Sequence, residues 1–396
     1  MSMTRLIIGG ILAIPCLLVT VCVAPLLALL AIPPLLVLLL RKAPSGLSSK
    51  HPPDQVIIAG GSSGIGLCLA KECVQRGVPK ITILARDPTK LQAAKQELEA
   101  LKKKKKKANA TTTKIQTISV SVSDLEPLKQ AAAICFEESS SNCSSGGGSS
   151  GSNQNSPAST SPRVALFNCA GIPYTTEFHK IPADEFLKLV QTNQLGSMYL
   201  VQAFLPYLDK GVICLTSSVA GQAGVYGYSA YTPTKAAIVG FANCLVHELL
   251  TTKPNLHVQV AFPADTQTPG YQEEIKMMPA ITKALNETSG LANPLETAKA
   301  MADAAFQPHP KFGVYFNIDG WALTNLTAGF GPVSNMGDAL AQISLLNLFR
   351  WIALFVQNDF WRIIRSFDGK EELDNGINEG NNNEKNGSEG KHTKGD

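Results

Sequence analysis

The chain has 396 residues, 44% of them hydrophobic, which is enough for one large domain or two ordinary ones with a sizeable core. Its net charge is +4, and much of the excess lies in the run Lys102–Lys107. No aromatic residue interrupts this run, so we expect a solvated, locally disordered stretch and no nucleic-acid partner. The nine cysteines form no CxxC pair, and no His/Cys/carboxylate cluster has metal-ligand spacing. We therefore expect free thiols and no metal site.

Residues 6–40 contain no charged side chain. This run is longer than a signal-peptide core of about 7–15 residues and longer than the roughly 20 residues of one membrane span. We predict a membrane anchor over residues 1–45, as a proline-kinked span or a re-entrant hairpin, with a cleaved signal peptide as the alternative. Arg41 and Lys42 follow the apolar run and only Arg5 precedes it, so the positive-inside rule places the rest of the chain in the cytosol.

Residues 50–318 alternate apolar, strand-like runs with helical patterns. The predicted strands are Gln55–Ala59, Ile81–Ala85, Ile115–Ser121, Val164–Asn168, Val212–Ser217, Val258–Phe262 and Gly313–Asn317. Near-continuous apolar strands separated by helices predict an α/β fold with a doubly wound parallel sheet of the Rossmann type. Residues 137–162, rich in Ser, Gly and Asn, predict a disordered insertion in this domain.

The chain becomes apolar again after residue 318. Residues 343–364 combine Trp351, Trp361 and several phenylalanines with a few charged side chains. For residues 319–367 we predict an apolar helical segment that lies in the membrane interface or covers the sheet as a lid. The polar residues 368–396 predict a disordered tail.

A glycine-rich turn follows the first predicted strand and opens a helix. Its residues are Gly60, Ser62, Ser63, Gly64, Ile65 and Gly66. Glycines allow a tight turn and a close approach of the backbone to a pyrophosphate, and the helix N-terminus offers free N–H groups to that anion. Because the turn belongs to a βαβ unit, it predicts a dinucleotide-binding site.

The second predicted strand ends at Arg86, where an NAD site usually carries an acidic residue for the ribose hydroxyls. An arginine suits a 2′-phosphate instead, and Lys90 lies one helical turn further on. The sequence therefore predicts NADPH as the cofactor, provided that the neighbouring Asp87 points away from the phosphate.

Tyr231 and Lys235 are spaced i, i+4, which puts them on one face of a predicted helix. A free tyrosine has a pKa near about 10, and a nearby ammonium favours the phenolate, so we expect Lys235 to lower the pKa of Tyr231. Ser218, at the end of a predicted strand, is placed to hold a carbonyl oxygen beside the tyrosine, and Ser217 is the alternative. Together these residues predict proton transfer to or from a carbonyl compound.

With these motifs, Asn168-Cys169-Ala170-Gly171 and the isolated Asn193, the chain resembles the short-chain dehydrogenase/reductase family over about residues 55–270. The resemblance implies that Tyr231 is the acid/base, that Lys235 binds the ribose and tunes the tyrosine, and that a serine orients the substrate carbonyl. It also implies that Asn193 holds a water linking Lys235 to solvent. Further cofactor-binding positions implied by the family are Asn168, Ala170, Gly171, Pro263, Thr266 and Thr268.

Three positions depart from the family pattern. Ala59 replaces the usual threonine before the glycine turn, Ser121 stands where an aspartate often contacts adenine, and Ala264 replaces the glycine of a Pro-Gly pair. These differences affect cofactor affinity more than the chemistry.

Within the family, the segments 61–73, 220–231, 261–270 and 348–355 resemble members that reduce a long-chain amino ketone at the endoplasmic reticulum. The expected reaction is NADPH-dependent reduction of 3-ketosphinganine, with hydride transfer to C3 and Tyr231 as the proton donor, at the cytosolic face of that membrane. The alternatives are another membrane short-chain reductase acting on a 3-ketoacyl-CoA, a steroid or retinal, and a non-catalytic NADPH-binding lipid sensor. A homo-oligomer is left open.

The loop 265–290 favours the amino ketone over a CoA ester. Its acidic residues outnumber its basic residues. The acidic residues are Asp265, Glu273, Glu274 and Glu287, and the basic residues are Lys276 and Lys283. A CoA substrate would need basic residues around its phosphates, whereas this balance attracts a cationic amine.

Overall fold

The computed structural model describes residues 52–106, 113–137, 161–288, 290–316, 321 and 357–367. These residues contain a seven-stranded, wholly parallel sheet in the order β3-β2-β1-β4-β5-β6-β7. The strands are β1 (Gln55–Ala59), β2 (Lys80–Ala85), β3 (Lys114–Ser119), β4 (Arg163–Asn168), β5 (Lys210–Thr216), β6 (Leu256–Ala261) and β7 (Gly313–Val314). The predicted doubly wound parallel sheet is confirmed, although β3 and β7 end earlier than the sequence suggested.

Helices cover both faces of the sheet. They are α1 (Gly64–Arg76), α2 (Pro88–Lys106), α3 (Leu125–Phe136), α4 (Ala183–Leu189), α5 (Gly196–Phe204), α6 (Tyr231–Thr252), α7 (Pro269–Met277), α8 (Ala280–Glu287) and α9 (Pro294–Ala305). Neighbouring residues of β1 point to opposite faces: Ile57 joins one buried cluster with Phe204, and Ile58 joins the other with Leu69 and Met301. This alternation explains why the strands read as continuous apolar runs, since both faces are buried.

The strand order reverses direction between β1 and β4, which lie side by side at the centre of the sheet. Ala59 of β1 pairs in register with Asn168 of β4, so the two strands end together. In doubly wound sheets a ligand binds outside the carboxyl ends of the strands at this switch point. The fold therefore places the glycine turn and the Asn168–Gly171 segment at one crevice.

The lysine run was wrongly predicted to be disordered where the structure describes it. Lys102–Lys106 form the last part of α2. Lysine is a good helix former, and positive charge is favourable at the C-terminal end of a helix. Lys102 also pairs with Glu99 at 3.0 Å.

Several predicted segments lie outside the described residues. They are the anchor 1–45, almost all of the insertion 137–162, the larger part of 319–367 and the tail 368–396. Of the apolar C-terminal segment, the structure describes a helix over residues 357–367, and the membrane-interface or lid role stays a prediction. Among the residues that the structure does describe, no helix combines the length and the hydropathy needed to cross a membrane.

The insertion joins α3 to β4, which places it at the amino ends of the strands. The chain is held firmly where it re-enters the sheet. The backbone N–H of Arg163 donates to Asp54 Oδ2 at 2.8 Å, and the N–H of Asp54 donates to the carbonyl of Arg163 at 2.9 Å. The insertion thus connects at the edge opposite the crevice.

The described cysteines are all free, as predicted: Cys68, Cys73, Cys135, Cys169, Cys214 and Cys244. Burial raises the pKa of the Cys135 thiol to about 11, which makes it unreactive near neutral pH. Within the same residues, no group of three or more His, Cys, Asp or Glu side chains is placed to hold a metal ion.

Candidate active site

The glycine turn has no room for side chains. Gly60 has a φ of +76°, and a Cβ there would lie 2.7 Å from the backbone nitrogen of Ala170. A Cβ on Gly66 would collide with the carbonyl oxygen of Gly60. The N–H of Gly60 donates to the carbonyl of Leu84 at 2.8 Å, which joins the turn to the end of β2.

The turn fits the pyrophosphate of a dinucleotide. Helix α1 starts at Gly64, and the side chain of its N-cap residue, Ser63, makes no capping hydrogen bond. The first N–H groups of a helix lack intrahelical partners, so those of Gly64, Ile65 and Gly66 remain for an anion at the positive end of the helix dipole.

Arg86 and Asp87, at the end of β2, have separate roles. The Asp87 carboxylate accepts hydrogen bonds from the backbone N–H groups of Thr89, at 2.9 Å, and Lys90, at 3.1 Å, and so caps α2. Arg86 is exposed, and its guanidinium has no hydrogen-bond or ion-pair partner among the described residues. The NADPH prediction required that Asp87 point away from the 2′-phosphate, and its carboxylate is indeed directed to the start of α2.

A cavity of about 240 Å³ opens at the carboxyl ends of the strands. Its lining residues come from the glycine turn, from the loops after β4, β5 and β6, and from helices α6, α7 and α8. Sequence analysis had singled out the lining residues Ile65, Gly171, Ser217, Ser218, Tyr231, Lys235, Pro263, Thr266 and Thr268 as site residues. The remaining lining includes Cys169, Thr216, Tyr228, Asp265, Glu274 and Asn286.

The structure distinguishes the two candidate serines. Ser217 is buried, and its hydroxyl donates to the carbonyl oxygen of Lys235 at 2.7 Å. Ser218 hydrogen-bonds to the Tyr231 hydroxyl, and its Oγ accepts from the N–H of Ala220 at 3.1 Å. Ser218 is therefore the serine whose hydroxyl lies beside the Tyr231 hydroxyl in the cavity, and Ser217 is bonded to the helix that carries the tyrosine.

Tyr231 and Lys235 lie together on the first turns of α6. The Lys235 Nζ is 5.7 Å from the centroid of the Tyr231 ring and donates to the carbonyl oxygen of Thr216 at 3.0 Å. Burial lowers the pKa of Lys235 to about 8. This amine is thus close to losing its charge near neutral pH.

The expectation that Lys235 lowers the pKa of Tyr231 is not met. Burial raises that pKa above its ordinary value, the negative charges of Glu274 and Asp265 raise it further, and the hydrogen bond from Ser218 opposes them. Lys235 is not among the groups that shift this pKa, and its Nζ lies 5.7 Å from the centroid of the tyrosine ring. A phenol that holds its proton is suited to protonating a product oxygen.

Asn193 sits in a π-helical turn, Val190–Leu195, between α4 and α5. Its side chain accepts from the N–H of Ile172 at 2.8 Å, donates to the carbonyl of Ile172 at 3.0 Å and donates to the Thr234 hydroxyl at 3.2 Å. Such turns often occur at functional sites. The side chain thus braces the loop after β4 against α6, and the water expected at Asn193 stays a prediction.

The Asn168–Gly171 segment shapes the crevice through its backbone. Asn168 Nδ2 donates to the Ser197 hydroxyl at 2.8 Å, and Asn168 Oδ1 accepts from the N–H of Ala170 at 3.1 Å. A Cβ on Gly171 would lie 3.3 Å from Lys235 Nζ. Asn168 therefore holds the turn, and Gly171 leaves space beside the lysine.

The loop after β6 forms another wall of the cavity. The carbonyl of Pro263 accepts from the N–H of Val219 at 3.1 Å, which ties this loop to the one after β5. Thr266 donates to the carbonyl of Ala264 at 2.8 Å, and Thr268 caps α7 by accepting from the N–H of Tyr271 at 3.1 Å. These contacts place Thr268 against the glycine turn, where its Cγ2 would lie 3.2 Å from a Cβ on Gly64.

Sequence reasoning only partly predicted the acidic wall of the cavity. It expected the acidic loop 265–290 to attract an ammonium group near the mouth and did not separate Glu274 from Glu273, and it did not single out Tyr228 or Asn286. Asn286 Nδ2 donates to the Tyr228 hydroxyl at 3.2 Å, and Tyr228 in turn hydrogen-bonds to Glu274. Tyr228 lies three residues before Tyr231, and this proximity in sequence was the available signal, but Glu274 had none that separated it from Glu273.

Comparison with known proteins agrees with this geometry. The family model described as short chain dehydrogenase matches residues 54–135 and 161–279, and the interval between the two matches coincides with the insertion. The chain belongs to the short chain dehydrogenase family. It is therefore an oxidoreductase that uses a nicotinamide cofactor.

Two proteins that are similar to this chain are named for a specific reaction within the family. The 3-dehydrosphinganine reductase of Danio rerio is 35% identical over 331 residues, which cover 83% of this chain and 89% of that protein. The 3-ketodihydrosphingosine reductase of Mus musculus is 33% identical over 79% of this chain and 86% of its own length. The crystal structure of the actinorhodin polyketide ketoreductase with NADPH shares the fold, with a TM-score of 0.53 and 19% identity over 68% of this chain and 96% of that one.

Proposed function

We propose that this protein reduces 3-ketosphinganine to sphinganine with NADPH, a step of sphingolipid synthesis. The similarity to the Danio rerio 3-dehydrosphinganine reductase over 83% of the chain carries this proposal. It is supported by a complete set of Ser218, Tyr231 and Lys235 around one cavity. A non-catalytic lipid sensor has no need of that set.

The chemistry follows from the residues around the cavity. NADPH bound at the glycine turn would supply the hydride for C3 of the ketone. Ser218 and Tyr231 meet the negative charge that develops on the carbonyl oxygen, and Tyr231 gives up its proton to that oxygen. Lys235, held beside the tyrosine on the same helix, offers its amine to the cofactor ribose.

The cofactor preference rests on Arg86. Its exposed guanidinium lies at the strand end joined to the glycine turn, while Asp87 is engaged at the start of α2. A guanidinium binds a phosphate through paired, charge-assisted hydrogen bonds. This arrangement supports NADPH over NADH, with the exposed Lys90 as a second cation.

We also propose that residues 1–45 anchor the enzyme in the endoplasmic reticulum membrane with the reductase domain in the cytosol. The uncharged run 6–40 and the basic pair Arg41 and Lys42 support this topology. A substrate with a long alkyl chain partitions into lipid, since each buried CH₂ contributes about 0.8 kcal/mol. An enzyme held at the interface therefore meets a higher substrate concentration.

A substrate panel tests the proposed reaction. The purified full-length protein in neutral detergent is assayed for NADPH oxidation with 3-ketosphinganine, a 3-ketoacyl-CoA, a ketosteroid and retinal. Rapid turnover of 3-ketosphinganine and its conversion to sphinganine are expected. Turnover of the CoA ester with no reaction of 3-ketosphinganine would overturn the assignment, and binding of NADPH without any turnover would favour the sensor.

A further inference from the structure

Glu274 is an acidic residue buried inside the catalytic cavity. It lies on α7, is 9% exposed and lines the same cavity as Ser218 and Tyr231. Its neighbour Glu273 is exposed and pairs with Lys276 at 2.7 Å on the outer surface. Two consecutive glutamates thus have different surroundings, and only Glu274 belongs to the cavity.

The Glu274 carboxyl is held in a defined position. Asn286 of α8 donates to the Tyr228 hydroxyl at 3.2 Å, and the Tyr228 hydroxyl hydrogen-bonds to Glu274. The ring of Tyr228 lies 5.6 Å from that of Tyr231 between centroids. This chain of contacts fixes the carboxyl next to the residue that protonates the substrate oxygen.

The close packing of α8 maintains this arrangement. Thr282 of α8 donates to the carbonyl of Tyr226 at 2.9 Å. Gly227 has a φ of +83°, and a Cβ there would lie 2.6 Å from the Thr282 hydroxyl. The loop that carries Tyr228 is therefore clamped onto α8.

The cavity carboxyls have no cation to neutralise them within the part of the chain that the structure describes. Glu274 forms no ion pair, and the Asp265 side chain has neither a hydrogen bond nor an ion pair there. The amine of Lys235, in the same cavity, is directed to the carbonyl of Thr216. Burying a carboxylate without a cation to pair with it is costly, so a fold that keeps such groups inside its substrate cavity points to a cationic ligand.

We infer that Glu274, assisted by Asp265, binds the ammonium group of an amino ketone substrate and so selects ketones that carry an amine next to the carbonyl. This inference rests on the proposed function. In 3-ketosphinganine the amine is on the carbon beside the ketone, so it must lie close to the oxygen that Ser218 and Tyr231 hold. Glu274 is the buried carboxyl that Tyr228 places there.

The charge state of the pair agrees with this role. Burial raises the pKa of Glu274 to about 7 and that of Asp265 to about 6. An ammonium near these groups favours their ionised form and removes the cost of burial. Glu274 also raises the pKa of Tyr231, so a bound ammonium would ease proton release from the tyrosine.

The test compares two substrates of equal chain length, 3-ketosphinganine and the same ketone without its amine. The full-length protein and its Glu274→Gln, Asp265→Asn and Glu273→Gln variants are assayed with NADPH at about pH 8, where the carboxyls are ionised. Glu274→Gln is expected to lower kcat/KM for the amino ketone about tenfold to hundredfold and to change the amine-free ketone less than about threefold. Glu273→Gln is the matched control and should leave both values unchanged.

The outcomes separate this inference from the proposed function. If the unchanged protein reduces both ketones and Glu274→Gln slows them equally, the ammonium site is wrong and the reductase assignment stands. If the unchanged protein reduces neither ketone, both are wrong. NADPH binding checks that each variant is folded. Should Glu274→Gln fail to fold, Asp265→Asn must show a selective loss of the amino ketone, and an equal loss of both ketones refutes the site.

Discussion

Ser217 and Ser218 are adjacent in the chain, yet their hydroxyls act in different places. Ser217 donates to the Lys235 carbonyl inside the protein, whereas Ser218 hydrogen-bonds to the Tyr231 hydroxyl in the cavity. A Cβ on Gly221 would lie 2.8 Å from Ser217 Oγ and 2.9 Å from Lys235 Cβ, so the loop after β5 must be narrow here. Ser217 therefore holds the helix that carries Tyr231, and Ser218 is the serine available to a ligand in the cavity.

Ser218→Ala should lower kcat about 10²–10³-fold with little change in NADPH binding, because it removes a donor from the developing oxyanion. Ser217→Ala should instead lower the unfolding free energy by about 1–3 kcal/mol, since the Lys235 carbonyl loses a buried partner. Turnover and thermal melting of both variants check this. A folded Ser217→Ala protein as inactive as Ser218→Ala would contradict the division of roles.

Tyr231→Phe should abolish most turnover while NADPH still binds. Only the hydroxyl is lost, and general acid catalysis contributes about 10²–10⁴-fold. Single-turnover rates and NADPH fluorescence titration measure the two properties separately. Tyr228→Phe keeps the neighbouring ring and serves as the comparison, and it should reduce the rate far less. A near-normal rate for Tyr231→Phe would show that another group supplies the proton.

Arg86→Ala should raise the KM for NADPH about tenfold to hundredfold and leave that for NADH almost unchanged, because only NADPH carries the 2′-phosphate. Lys90→Ala should give a smaller loss in the same direction. Lys103→Ala, at the exposed far end of α2, is the control and should change neither constant. Equal losses with both cofactors would refute the role of Arg86 in phosphate binding.

The free energy of unfolding should depend on pH through the ionisation of Glu274. The pKa of Glu274 rises from its ordinary value of 4.5 to about 7, so the neutral form is favoured in the folded state. The raised pKa therefore contributes to the free energy of unfolding. This contribution is fully present below pH 4.5 and is lost as the pH rises through about 7.

Glu274→Gln should therefore become more stable than the unchanged protein as the pH rises from about 5 to about 8, by at most roughly 3 kcal/mol. Asp265, Tyr228, Tyr231, Tyr271 and Lys235 are the other titratable groups around Glu274, and they are present in both proteins. Melting curves across this range measure the difference, with Glu273→Gln as the control. A difference that does not change with pH would argue against a buried, neutralised carboxyl.

The proposed topology predicts that the sequons at Asn109 and Asn325 stay unglycosylated, because glycosylation occurs in the lumen. A glycosidase-sensitive shift in mass at either site would place the reductase domain on the other side of the membrane. The sequon at Asn286 is a poorer reporter, since its side chain already hydrogen-bonds to Tyr228 inside the cavity.

Local patterns were enough to predict the sheet and the catalytic helix. The apolar strands are buried on both faces, and the i, i+4 spacing of Tyr231 and Lys235 depends only on helix geometry. The roles of Ser217 and Ser218 could not be separated in the same way, because adjacent residues of an extended chain differ in orientation only once the sheet is built. The burial of Glu274 was also inaccessible, since it depends on how α7 and α8 pack over the loop after β5. The raised pKa of Tyr231 follows from that packing too.

The connection between α3 and β4 gives the fold a practical access point. Its two attachment points lie at the amino ends of the strands, and Asp54 holds Arg163 where the sheet resumes, so both points are remote from the crevice. An affinity tag, a fluorescent reporter or a protease recognition sequence placed between these points is therefore expected to leave the crevice unchanged. Such a labelled chain would allow the orientation of the domain to be read in living cells without altering either end of the polypeptide.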